Sequence, residues 1–195
     1  DGFAKVKRND KWGYVDKSGN EINSCKYNDI YLFHDGFAKV SKDYENRGLI
    51  DSNCIEVVPC IYRDIDTYFH DGLVKVKGKG GEGYVDTTGK EVIPCGKYYD
   101  IGRFEEGLAP ISKDHKWGTI DKNGIEIIPC IYEEKYRFIN GIAMVKRNGL
   151  WGLIDQAGNE IAPCIYEDME WFCEGLAKVK KNDLWGFIDQ TGNEV

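Results

Sequence analysis

The sequence lacks most of what marks an enzyme, a membrane-spanning chain or a nucleic-acid reader. No run approaches the ~18 apolar residues of a membrane span, and no basic start with an apolar middle marks a leader. No Cys-x-x-Cys pair stands anywhere, so zinc-finger spacing is missing. Gly-x-Ser-x-Gly, a phosphate-binding glycine loop and a nucleophile paired with histidine are missing too. Apolar residues nowhere sustain the i, i+3, i+4 spacing of an amphipathic helix. The 26 Lys and Arg and 33 Asp and Glu, net −7, are interleaved along the chain. Without a basic stripe they argue against nucleic acid as a partner and read as solvated strand faces.

What is there is a repeat. The block Leu184–Trp185–Gly186–Phe187–Ile188–Asp189 has earlier copies at 11–16, 46–51, 81–86, 116–121 and 150–155. Its glycines fall at 13, 48, 83, 118, 152 and 186, a spacing of 34 or 35 residues. Such a period decides the architecture before any single residue is read. Residues 1–195 are read as one array of about five and a half units. The chain opens in mid-unit and stops at Val195, where other copies continue, so a segment of a longer protein is expected.

Each unit predicts a hairpin. Gly141–Ile142–Ala143–Met144–Val145–Lys146 alternates with a period of two, as in a half-buried strand. Asn148–Gly149 then turns the chain into Trp151–Asp155. After each block Asp, a turn such as Asp121–Lys122–Asn123–Gly124 uses a carboxylate to cap backbone N–H groups and a glycine for positive φ. A third strand comes next, for example Glu126–Ile127–Ile128, with Pro129 ending it or placing it at an edge. The link onward, through Ile131–Tyr132 to Phe138 and Gly141, reads equally as a short strand or an irregular crossover. Cys54 stands where other units have the turn glycine, which predicts strain or a different turn.

The sequence Trp-Gly, two apolar residues or nearly so, Asp-x-x-Gly-x-Glu, then Pro and a Tyr-containing acidic link resembles the WG-repeat (KWG-repeat) family of bacterial tandem repeats. The resemblance covers essentially the whole chain, with Arg47 and Glu82 replacing Trp in two copies. It implies a bacterial repeat module and brings no catalytic residues with it.

The fold class is therefore all-β, built of tandem antiparallel hairpin units. A propeller-like ring of about six units is favoured because closure removes exposed ends; an open superhelix of stacked hairpins is the alternative. The predicted core is Ala4, Ala38, Val74, Ala109, Ala143 and Ala177, the Val or Ile two residues after each, and the Val15 to Ile188 row. The glycine after each Trp is expected to let a Trp lie across it.

Five cysteines, 25, 60, 95, 130 and 164, share one repeat position and read as small, buried, reduced side chains. The odd total of seven favours a reducing compartment. His34 and His70 also share a position and invite a metal or phosphate, but exposed loop residues are the simpler reading. The Asp and Glu ladders are present in every copy, whereas a catalytic site breaks a repeat's symmetry. Turn capping and cross-strand pairing explain them better than Ca²⁺ does. No enzyme activity, cofactor or metal is expected. What remains is recognition: Trp12, Trp117, Trp151, Trp171 and Trp185, with the link tyrosines, are the candidate binding residues. A protein–protein interaction scaffold is the first reading. A carbohydrate or cell-envelope module is the second, and it requires exposed, flat Trp rings.

Overall fold

The computed structural model describes residues 3–22 and 24–195, and every regular element among them is a β-strand. The strands form six antiparallel sheets, one per repeat copy. They fall into two compact units, Asp1–Tyr99 with the first three sheets and Asp100–Val195 with the last three.

Every sheet is centred on the predicted hairpin. In the fifth, Ile142–Arg147 pairs with Leu150–Asp155, Ala143 opposite Ile154 and Val145 opposite Gly152. The two-residue turn has φ of 54° at Asn148 and 76° at Gly149. Positive φ at both positions matches the right-handed twist of the flanking strands. The same conformation recurs at Asn9–Asp10, Asp114–His115 and Asn182–Asp183. The alternating core positions are buried from the second sheet to the sixth, including Ala38, Val76, Ile120, Val145 and Ile188. In the first sheet Ala4 is exposed and Val6 and Val15 are half-buried.

The third strand takes the edge position that its proline allows, and in the third sheet Glu91–Ile93 stops before Pro94. Glu56–Tyr62, Glu126–Tyr132 and Glu160–Tyr166 run straight through Pro59, Pro129 and Pro163 rather than ending there. Each is the outer strand of its sheet, where a missing N–H costs no ladder bond. The register shows how the prolines fit. Trp117 faces Tyr132 and Thr119 faces Ile128, so three residues, Pro129 to Ile131, bulge opposite Gly118 alone. That bulge also corrects the role given to the block glycine. A Cβ on Gly152 would stand 2.7 Å from the Ala162 carbonyl oxygen and 2.8 Å from the Cys164 nitrogen. The glycine makes room for the third strand's backbone, not for a Trp ring.

The links resolve into two-residue strands at Asp29–Ile30, Asp64–Ile65, Asp100–Ile101 and Asp168–Met169. The fifth sheet has none, because Glu134–Lys135 replaces the Asp-apolar pair. The link tyrosines, expected among the surface aromatics, are core instead: Tyr27, Tyr62, Tyr98, Tyr132 and Tyr166 are all buried.

Each core forms between neighbouring sheets. Ile128 and Tyr132 of the fourth sheet pack with Ala143, Val145 and Ile154 of the fifth. Leu153, Ala162 and Tyr166 of the fifth pack with Ala177, Val179 and Ile188 of the sixth. One unit alone leaves these faces in water, which is why the repeat must be stacked. Cys54 keeps the ordinary turn, its N–H donating to the Asp51 carbonyl at 2.8 Å, but at φ 60°. The predicted change of turn type does not occur; the strain does.

Candidate functional site

The two acidic ladders are structural. Asp155 accepts hydrogen bonds from the Ala157 and Asn159 N–H groups at 3.0 and 2.8 Å, and the pattern repeats at Asp16, Asp51, Asp86, Asp121 and Asp189. Side-chain donors Asn20, Thr88, Asn159 and Thr191, together with backbone N–H groups, hold the carboxyls of Asp16, Asp86, Asp155 and Asp189 below their usual range. Four of the glutamates pair across strands: Glu21 with Arg8 at 2.6 Å, Glu56 with Lys42 at 2.9 Å, Glu160 with Arg147 at 2.5 Å and Glu194 with Lys181 at 2.8 Å.

The repeat cysteines sit in or beside the bulge of the third segment. Cys60 and Cys130 point their thiols at the Val40 and Ile111 carbonyls, 4.0 and 3.9 Å away. Burial pushes the Cys60 and Cys95 thiols up to about 11 and raises Cys130 and Cys164 as well. A thiol kept protonated is a poor nucleophile and a poor metal ligand. No group of three or more metal-ligating side chains occurs among the described residues. His34 and His70 are exposed, and Tyr68 stands between them, 5.3 Å from the first ring and 4.6 Å from the second.

The five candidate tryptophans differ in exposure. Trp12, Trp117 and Trp151 are half-buried, each with a lysine ammonium over its ring at 5.7, 4.9 and 5.0 Å from Lys7, Lys135 and Lys146. Those cations occupy a face that a sugar would need. Trp185 is 49% exposed with Lys178 at 4.1 Å, and Trp171 is 36% exposed and packs edge-on against Phe172. Half-burial also explains the two substitutions. Arg47 reaches the Arg63 carbonyl, and Glu82 pairs with Lys75 at 2.5 Å, each keeping its charge at the rim.

A different repeat position is brought forward by the structure: the residue before each link phenylalanine. It is Leu32, Tyr68, Arg103, Arg137 and Trp171 in successive links, and all but the half-buried Tyr68 are exposed. The framework around it repeats, and this position does not.

In the second compact unit the row borders a cleft of about 460 Å³ between the fourth and fifth sheets. Small residues open it. Where the second link has Tyr31 with Lys39 over its ring, and the sixth has Glu170 paired with Lys178 at 3.2 Å, the fourth has Gly102 and Pro110. The backbone bond is kept, Gly102 N–H to the Pro110 carbonyl at 2.7 Å, but a Cβ on Gly102 would lie 2.5 Å from the proline ring. Thr119 likewise stands where other copies have Tyr14, Leu49, Tyr84, Leu153 or Phe187. Tyr136 fills that space from the fifth link. Its hydroxyl meets the Thr119 hydroxyl at 2.9 Å, and its ring is edge-on to Tyr132 and Phe138.

Arg103, Lys135 and Arg137 line this cleft with Glu105 and Glu106. Lys135 leans 4.0 Å from Asp100, and Glu106 accepts a bond from Gln156 at 3.2 Å. Among the described residues neither arginine has an ion-pair or hydrogen-bond partner for its side chain. A second cleft, between the first and second sheets, has its cations engaged: Lys7 with Asp10 at 3.4 Å, Lys11 with Asn28, and Arg47 with the Arg63 carbonyl.

No curated protein matches the chain. Among solved structures it is similar to Hsv2p of Kluyveromyces lactis, at 10% identity and a TM-score of 0.37 over 86% of this chain and 61% of that one. It thus spans less than two thirds of that protein's length. It is also similar to BamB of Moraxella catarrhalis, at 12% identity and a TM-score of 0.36 over 100% and 72% of the two chains. A eukaryotic initiation factor gives 8% identity and a TM-score of 0.44 over 94% and 58%. The family described as WG containing repeat matches residues 12–45, 83–117, 117–151 and 151–185, more than half of the sequence, and the chain belongs to this WG-repeat family.

Proposed function

We propose that this chain is a non-catalytic scaffold that binds a protein or peptide partner through the row preceding the link phenylalanines in its second compact unit, Arg103, Arg137 and Trp171. One observation carries the reading. Leu32, Tyr68, Arg103, Arg137 and Trp171 present different chemistries at one largely exposed position, while the residues that build each sheet recur. A stacked repeat selects a partner in this way, by varying exposed side chains on a constant frame. The ladders support the non-catalytic part, because the aspartates cap the turn in all six copies and four of the glutamates are held in cross-strand ion pairs. The glycan reading is not favoured, since three of the five tryptophan rings are half-buried beneath lysines.

The test is capture from the native lysate by the chain and by a variant carrying R103A, R137A and W171A, with a glycan array in parallel. A protein captured by the parent and lost by the variant is expected, with direct titration of that protein in pure form as the second step. Saturable glycan binding without any protein partner overturns the proposal.

A further inference from the structure

We infer that the cleft between the fourth and fifth sheets is a binding site for an acidic peptide segment, with Arg103 and Arg137 holding a carboxylate and Phe138 and Tyr136 accepting a neighbouring apolar side chain. This deepens the scaffold reading and rests on it.

Four observations converge. The cleft exists because bulk is missing at three repeat positions, Gly102, Pro110 and Thr119, all facing the same space. The symmetry of the array is broken there and filled only in part, by Tyr136. At about 460 Å³ the cleft lies within the ~300–1,000 Å³ range of ligand sites. Consecutive links place arginine at the same repeat position, and among the described residues both guanidiniums are left without a partner. A free guanidinium offers a planar fork of donors that matches a carboxylate in bidentate fashion.

The cleft's other charges narrow the ligand. Glu105 and Glu106 lower the positive potential and Lys135 is drawn to Asp100, so two arginines act against two glutamates. That balance suits a singly charged carboxylate bonded directly by a guanidinium and disfavours a doubly charged phosphate. Asn140 and Gln156 at the edge offer amide donors and acceptors for a peptide backbone. The buried Tyr136 ring and the half-buried Phe138 make the apolar part of the wall.

The probe is an array of acetylated and amidated octapeptides with one Phe beside a variable pair: Glu-Glu, Gln-Gln, Lys-Lys or two phosphoserines. The Glu-Glu peptides are expected to bind, the Gln-Gln peptides about tenfold more weakly, as a charged hydrogen bond is lost. The double variant R103A/R137A loses the preference. R103K/R137K, which keeps charge but not the fork, falls between them. Both arginines are exposed, so an unchanged melting temperature shows the variants to be folded. Equal binding of Glu-Glu and Gln-Gln, tighter binding of Lys-Lys or phosphoserine peptides, or no binding by any peptide overturns the inference. A lysate partner captured equally by R103A/R137A sinks the cleft but keeps the scaffold, whereas no captured partner at all sinks the scaffold reading.

Discussion

The fifth and sixth sheets carry nearly the same hairpin, yet the same residues meet different surroundings. In the fifth, Leu153 is fully buried and Trp151 half-buried, whereas in the sixth Phe187 is 48% and Trp185 49% exposed. The third strand makes the difference. Glu160–Tyr166 lies along Leu150–Asp155, while among the described residues the side of Leu184–Asp189 away from its hairpin partner has no third strand, just the Ile188–Glu194 bridge and the bonds from Asp189 N–H to the Asn193 carbonyl and from Val195 N–H to the Phe187 carbonyl. The block that defines the repeat is thus buried by the strand that comes after it.

The largest expected effect comes at the block glycine. Gly152→Val drives a side chain into the backbone of Ala162 and Cys164 and should cost about 3 kcal/mol through overpacking. Gly186 has nothing within 4 Å of an added Cβ, so Gly186→Val should change stability by less than about 0.5 kcal/mol. Urea denaturation of both variants decides; equal midpoints would mean that the third strand is not what demands glycine.

The turn glycine gives a smaller contrast. Gly19 and Gly192 have φ of 84° and 83°, but only the second would place a Cβ against Ile161 of the preceding sheet. Gly19→Ala should cost about 1 kcal/mol for the left-handed backbone alone. Gly192→Ala should cost about 2–3 kcal/mol, backbone and overpacking together. If the two melt alike, the sheets do not stack through this turn.

Thiol chemistry separates the same two regions without touching stability. Cys173 is exposed, whereas Cys164 lies half-buried in the fifth bulge with its thiol pushed up by burial. Under native conditions at pH 8 a disulfide-exchange reagent should label Cys173 rapidly and Cys164 only on unfolding. Comparable rates at both would show that the bulge opens readily. Acrylamide quenching of variants retaining only Trp151 or only Trp185 should rank the second above the first.

The smallest contrast is expected in acid, because both sheets keep the capped turn. The carboxyls of Asp155 and Asp189 are depressed in the folded chain, chiefly by Asn159 and Thr191. Their stabilisation is present above the unfolded value of about 4 and is lost as pH falls through the lower folded value. Stability measured from pH 5 to pH 2 should decline, and Asp155→Asn and Asp189→Asn should flatten that decline to a similar extent. A steeper loss for one turn would show that its surroundings matter after all.

Much of the fold was legible in the sequence. Period-two alternation and Asn-Gly turns depend on residues close in the chain, so hairpins, capping aspartates and the Ala and Val core rows could be read directly. The path of the third strand could not. Pro129 reads as a stop or an edge residue, because nothing local says that three residues arch opposite Gly118. The link tyrosines misled for the same reason: Tyr132 looks like a polar surface aromatic until the next sheet's Ala143 and Ile154 cover it. The candidate cleft left one sequence trace, arginine at 103 and again at 137. Gly102, Pro110 and Thr119 are far enough apart that only pairing of strands shows them to be one gap.

The Trp-Gly block with its phased turns was determined by sequence alone, since backbone preference and short-range hydrogen bonds act within a few residues. Which of its members face solvent was decided by tertiary structure. Burial of Trp151, exposure of Trp185 and the opening beside Arg103 and Arg137 depend on which strand or sheet lies next to them, and apolar burial is a property of neighbours in space.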